Sequence, residues 1–142
     1  MKLTVQQVMD ATVTVSNIIR ENRPMPQRGK YKLARLHAKL LPEFNTANDQ
    51  RNAMIKAYDH HPMVNAKPSK EDPLGQNLVE SPDFAVPNSK VPEFTEAWAK
   101  IASEQIDVDV EPIPLEQFSL ADDQDGSISA HELIVLGDLV KD

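Results

Sequence analysis

The stretch ADDQDGSISAHEL, residues 121–133, holds side chains whose types and spacing could bind a hard cation. Asp123, Asp125, Gly126, Ile128 and Glu132 fall where a calcium-binding EF-hand loop places its third, fifth, sixth, eighth and twelfth residues. Such a loop also needs a carboxylate at its first position and a helix leading into it. Here the first position is Ala121, and Pro112 and Pro114 interrupt the approach. Moving the frame to Asp122 or Asp123 loses the glycine at position six. The same residues have a reading without metal. Ser129 and Glu132 form an S-x-x-E capping box, Ile128 and Leu133 are placed to staple it, and Asp125-Gly126 is a turn dipeptide. That reading outweighs the calcium one, which is retained as an alternative through residues 122–132, with Asp123, Asp125 and Glu132 as its ligand candidates.

Other chemistry is sparse. His60 and His61 are adjacent and so point apart on a helix, with His37 and His131 distant in sequence. There is no glycine-rich phosphate loop, nucleophile motif or HExxH pattern, and no pair of carboxylates is singled out as acid and base. The expectation is a protein that is not an enzyme and carries no cofactor. A basic run carries more weight: Arg20, Arg23, Arg28, Lys30, Lys32, Arg35 and Lys39 stand against Glu21 alone. These cations could contact nucleic-acid phosphates, but Tyr31 is the one aromatic nearby and the chain is acidic overall. A protein surface is the better match, with nucleic-acid binding as a further alternative.

The elements that must position these groups follow from hydrophobic spacing. Val5, Val8, Met9, Thr12, Val15 and Ile19 mark one face of a helix from Thr4 to about Asn22, started by the Thr4/Gln7 capping box. Two prolines in ENRPMPQRG end it. A second helical region runs from about Lys30 to His60, with Leu33, Leu40, Ala47 and Met54 seven apart and Leu36, Phe44, Arg51 and Tyr58 at companion positions. It should fold back on the first as an antiparallel hairpin, kinked or restarted at Pro42. Pro62, Pro68, Pro73, Pro82, Pro87 and Pro92 then puncture a polar stretch with short apolar pieces, which predicts a loop, an arm or at most a short hairpin. Phe84 and Val86 are its candidate partner contacts. A third helix from Pro92 to about Gln105 should present Phe94, Trp98 and Ile101. Ile106, Val108 and Val110 alternate as a half-buried strand, and a last helix runs from Ala130 to about Val140 with Leu133, Leu136 and Val140 inward.

The expected fold is therefore mainly α with a small β element (α+β). An N-terminal antiparallel helical hairpin covers residues 1–61, a proline-rich loop or arm 62–91, and a helix–strand–helix element packed on the hairpin 92–142, within a single domain. The length suits one domain with a core. Without cysteine the chain has no disulfide or thiolate centre, and no apolar run is long enough to span a membrane. Net charge is −7, unevenly spread. Residues 1–70 hold twelve Lys/Arg and five Asp/Glu, while residues 71–142 hold three and seventeen. Such halves can attract each other, serve two partners, or join head to tail between copies.

The order of MKLTVQQVMDATVTVSNI, KYKLARLHAKLLPEFNTANDQRNAMIKAY, a variable middle, PEFTEAWAKIASEQIDVDVEPIPLEQF and ISAHELIVLGDLV resembles a group of small bacteriophage and prophage proteins. The proline-rich middle departs from that pattern. The resemblance transfers no catalytic residues. It implies a virion or assembly component, or a binder of a host protein, located in the host cytoplasm or the virion. The expected partner is another protein, phage or host, or another copy of the chain. An acidic surface on Asp107, Asp109, Glu111, Asp122, Asp123 and Asp125 could then mimic DNA toward a host nucleic-acid enzyme.

Overall fold

The computed structural model describes residues 1–118 and 128–142. The fold is mainly α with short two-stranded β elements, as the spacing predicts. The chain forms two compact units, residues 1–47 with 101–142, and residues 48–100.

In the first unit a strand β1 (Lys2–Thr4) leads directly into α1 (Val5–Arg20). Thr4 closes the predicted capping box: its hydroxyl accepts from the Gln7 N–H at 3.1 Å, and the Gln7 amide oxygen accepts from the Thr4 N–H at 2.8 Å. Val5, Val8, Ala11, Thr12, Val15 and Ile18 are buried. The apolar arc thus turns toward Ala11 and Ile18, and Ile19 is exposed beside a small pocket of about 100 Å³ at the helix end. Thr12 is tolerated inside because its hydroxyl donates to the Val8 carbonyl at 2.6 Å.

The next helix, α2 (Gln27–Lys56), buries Leu33, Leu36, Leu40 and Ala47, and its leucines share one core with Val8, Val15 and Ile18 of α1. This is the helical hairpin. Pro42 neither restarts nor ends α2. It sits on the exposed side, so the missing N–H costs a single ladder bond while Leu40 and Ala47 hold the helix by burial. The helix ends at Lys56 rather than His60, where a turn puts Asp59 at φ +49°.

The alternating 106–110 segment supplies β4 (Gln105–Asp107), which pairs antiparallel with β1, Leu3 opposite Ile106. Further on, β5 (Ile113–Pro114) pairs in parallel with β6 (Val140–Lys141). Between them α4 (Ala130–Leu136) packs on α1. It stops four residues short of the expected end, since Gly137 turns the chain at φ +50° and Val140 is taken by the strand. Phe118, Ile128, Leu136 and Leu139 complete the core.

In the second unit, β2 (Met63–Asn65) and β3 (Leu78–Glu80) pair antiparallel, with Val64 opposite Val79. The proline-rich stretch is therefore a hairpin arm. The third helix, α3 (Val91–Ala102), ends before Gln105, which lies in β4. Buried Phe94 meets the Tyr58 ring edge-on at 6.4 Å, and the Arg51 guanidinium lies 5.6 Å from the Phe94 ring and 6.0 Å from that of Trp98.

Candidate partner-binding surfaces

The cations of the 20–39 run separate once folded. Arg20, in the last turn of α1, donates to Asn17 Oδ1 at 3.0 Å, and Lys30 reaches Asn22 Oδ1 at 3.3 Å. Arg23 is a structural residue. Its guanidinium bonds Glu21 Oε2 at 2.6 Å through Nε and clasps both carboxylate oxygens of Glu132 through Nη1 and Nη2. The Glu132 side chain is 15 % exposed and that of Arg23 22 %. Hydrogen bonds from Arg23 hold the Glu132 carboxyl down to about 2 against the opposing effect of burial, with the Ser129 bonds helping. Glu132 and Glu21 in turn push the Arg23 pKa upward.

Glu132 also completes the predicted capping box. Its Oε1 accepts from the Ser129 N–H at 2.9 Å, and its own N–H donates to Ser129 Oγ at 3.1 Å. One candidate calcium ligand is thus engaged by a guanidinium and a backbone donor. The other two, Asp123 and Asp125, lie outside the described residues, as does the rest of the 119–127 segment. Among the described residues no three His, Asp or Glu side chains converge as a metal-binding group. His61 is used otherwise: Nδ1 lies 2.9 Å from the Ser81 carbonyl oxygen and 3.2 Å from that of Asp83, positions at which an Nδ1–H donates.

Arg28, Lys32, Arg35 and Lys39 are spaced four, three and four along α2, which sets them on one helix face. Among the described residues no ion pair reaches Arg28, Lys32 or Arg35. Lys32, Arg35 and Lys39 form one wall of a groove of about 340 Å³, floored by Leu36 and Ile113. Asp109, Val110, Glu111 and Pro112 form the other wall, and Lys39 Nζ reaches Asp109 Oδ2 at 3.5 Å. Two carboxylates facing three cations make this groove amphoteric. That geometry opposes a polyanion, since phosphates following the cations would run against Asp109 and Glu111. The proposed acidic surface is likewise partly neutralised, with Asp107 3.1 Å from the Met1 amino nitrogen.

In the arm, Phe84 is half-buried with its ring 4.2 Å from that of His61, and Val86 is half-buried as well. Phe84 thus braces the base of the arm against His61. The exposed apolar groups are others: Met63 (58 % exposed), Val64, Leu74 (76 %), Leu78 (61 %) and Val79. Reading each short apolar piece between prolines as a strand would have found Met63, Val64, Leu78 and Val79 from sequence. Asp109 and Glu111 carry no local signal as groove residues, because their pairing with α2 is long-range.

The loop joining β2 to β3 is built on Asp72. Its carboxylate accepts from the Gln76 N–H at 3.0 Å and the Asn77 N–H at 2.8 Å, and its carbonyl accepts from the N–H groups of Ser69 and Gly75. Those amide bonds, Asn77 first, hold the Asp72 carboxyl below its ordinary pKa. Gly75, at φ +62°, has room for no side chain: an added Cβ would lie 2.7 Å from the Ala66 carbonyl oxygen. Compared with protein-family models, with curated proteins and with solved structures, the chain matches none.

Proposed function

We propose that this is a non-enzymatic protein that works by protein–protein contact and grips its partner with the arm between α2 and α3. One observation carries the reading: all six residues of β2 and β3 are exposed, Met63, Val64, Leu78 and Val79 among them, on a hairpin whose loop is fixed by Asp72. A two-stranded hairpin is marginal by itself. Exposed apolar residues on such a ribbon are an aggregation hazard unless something covers them. Fixing the loop in advance lowers the ordering cost of binding. The resemblance to phage proteins sets the context: a virion or assembly component, or a binder of a host protein, in the host cytoplasm or the virion.

The test is site-specific photo-crosslinking of the full chain in its producing cells, with the photoreactive residue at Leu78 or, as a control, at Ile134 in α4, which is also exposed. A discrete protein adduct from Leu78 and none from Ile134 is expected. Equal labelling at both positions, or none at Leu78, would refute the arm as the grip. The basic face makes a second comparison: charge reversal at Arg28, Lys32 and Arg35 should leave that adduct in place.

A further inference from the structure

We infer that the partner of the arm is the arm of a second copy of this chain, joined edge to edge through β2 in antiparallel register about Val64. This rests on the arm being the grip and names what it grips. The first support is the direction of the backbone. Within the hairpin the Ala66 N–H bonds the Asn77 carbonyl at 2.7 Å and the Ser81 N–H bonds the Pro62 carbonyl at 2.8 Å. Even-numbered residues of β2 therefore turn their backbone groups toward β3, and alternation turns those of Met63 and Asn65 away. Among the described residues β2 pairs with β3 alone, which leaves this outer edge open.

The second support is charge. The chain carries −7, which drives copies apart. Residues 62–82 are close to neutral, with Lys67 and Lys70 against Glu71, Asp72 and Glu80. The two edges also differ. β3 carries Glu80, the kind of charge that blocks edge pairing, whereas Met63, Val64 and Asn65 of β2 carry none. The neutral edge is where like-charged copies can meet.

The third support is self-complementarity. A two-fold axis at Val64 sets Met63 opposite Asn65 of the second copy and the reverse, so both outward N–H and C=O pairs are satisfied. Val64 then faces its own equivalent. Because Val64 already faces Val79, one side of the four-stranded sheet gains an unbroken row, Val79–Val64–Val64–Val79. No apolar residue meets a charge within that row. An edge only three residues long is well below the ~1,200 Å² of a standard interface, so the dimer should dissociate at micromolar rather than nanomolar concentration.

The chain contains no cysteine, which permits a direct test. Across the axis Val64 and its equivalent form a non-hydrogen-bonded pair with Cα atoms about 4.5 Å apart. A disulfide bridges roughly 4.4–6.8 Å. Full-length V64C should oxidise to a covalent dimer about tenfold or more faster than L74C, whose side chain is more exposed, because pairing raises its effective concentration. Sedimentation of the unsubstituted chain should show 15.9 kDa on dilution and twice that when concentrated. Amide exchange at Met63 and Asn65 should slow with concentration, while Val64, bonded inside the hairpin, stays protected throughout. N65P removes an outward N–H without breaking a hairpin bond and should abolish the dimer. A mass of 15.9 kDa at every concentration, or V64C no faster than L74C, overturns the inference. So does a dimer that survives N65P. A monomer whose Leu78 photoprobe still marks a different protein overturns self-pairing and leaves the arm as the grip; a monomer with no Leu78 adduct overturns both.

Discussion

Replacing Glu132 by glutamine isolates the charge that ties α4 to the turn after α1. Glutamine retains the capping box, since its amide oxygen can accept from the Ser129 N–H as Oε1 does now at 2.9 Å. What is lost is the charge facing Arg23. The Glu132 carboxyl falls from an ordinary 4.5 to about 2 in the folded chain. At about 1.4 kcal/mol for each tenfold change in proton affinity, the ionised form is worth roughly 3 kcal/mol to folding. The sign follows from the depressed pKa. This stability is fully present above pH 4.5 and drains away as pH falls toward 2. Because the Ser129 bonds supply part of that depression and glutamine keeps them, urea unfolding of both proteins between pH 2 and 7 should give a difference of about 1–3 kcal/mol at pH 7 that closes as the pH approaches 2. Two compact units need not melt together, so the transition is best followed by a resonance of Leu136 or Leu139, which lie in the first-unit core. A difference that stays constant across the range would refute the ion pair as its source and leave only the altered cap.

Gly29 sits in the first turn of α2, where an added Cβ would lie 2.1 Å from the Gln117 carbonyl oxygen. Alanine should therefore destabilise the first unit by about 1–3 kcal/mol, measured by urea unfolding, although alanine normally favours a helix by about 1 kcal/mol. Phe118 is fully buried, and F118A should cost about 3–5 kcal/mol on the same assay. In the arm, D72A should speed amide exchange at Gln76 and Asn77 while leaving core amides of the first unit unchanged. Acid should do likewise in the native chain. The Asp72 carboxyl lies below its ordinary value of 3.8, so its hold on the loop is complete above that pH and weakens below it.

Local rules were legible where partners lie within a few residues. The Thr4/Gln7 and Ser129/Glu132 capping boxes both form, because a cap is closed over three positions whatever the rest of the chain does. The leucine spacing of α2 predicts its buried face for the same reason. Helix ends were read less well. Asp59 and Gly137 stop helices at positive φ where the apolar spacing alone would run on. At Pro42 the helix does not restart, because the residues around it are held by burial. Phe84 and Val86, the apolar arm residues singled out from sequence, are half-buried, Phe84 against His61, while Met63 and Leu78 stand exposed.

The sequence by itself determined four helices, a strand at Ile106 and the two capped helix starts, since periodicity and capping are short-range physics. Tertiary structure decided which charges remain available. Arg23 belongs to the same basic run as Lys32 and Arg35, but it is spent on Glu132, distant in sequence, while they line a groove. It also decided that Met63 and Leu78 share an open hairpin rather than a core. Both outcomes depend on which distant segments meet, and residue spacing carries no record of that.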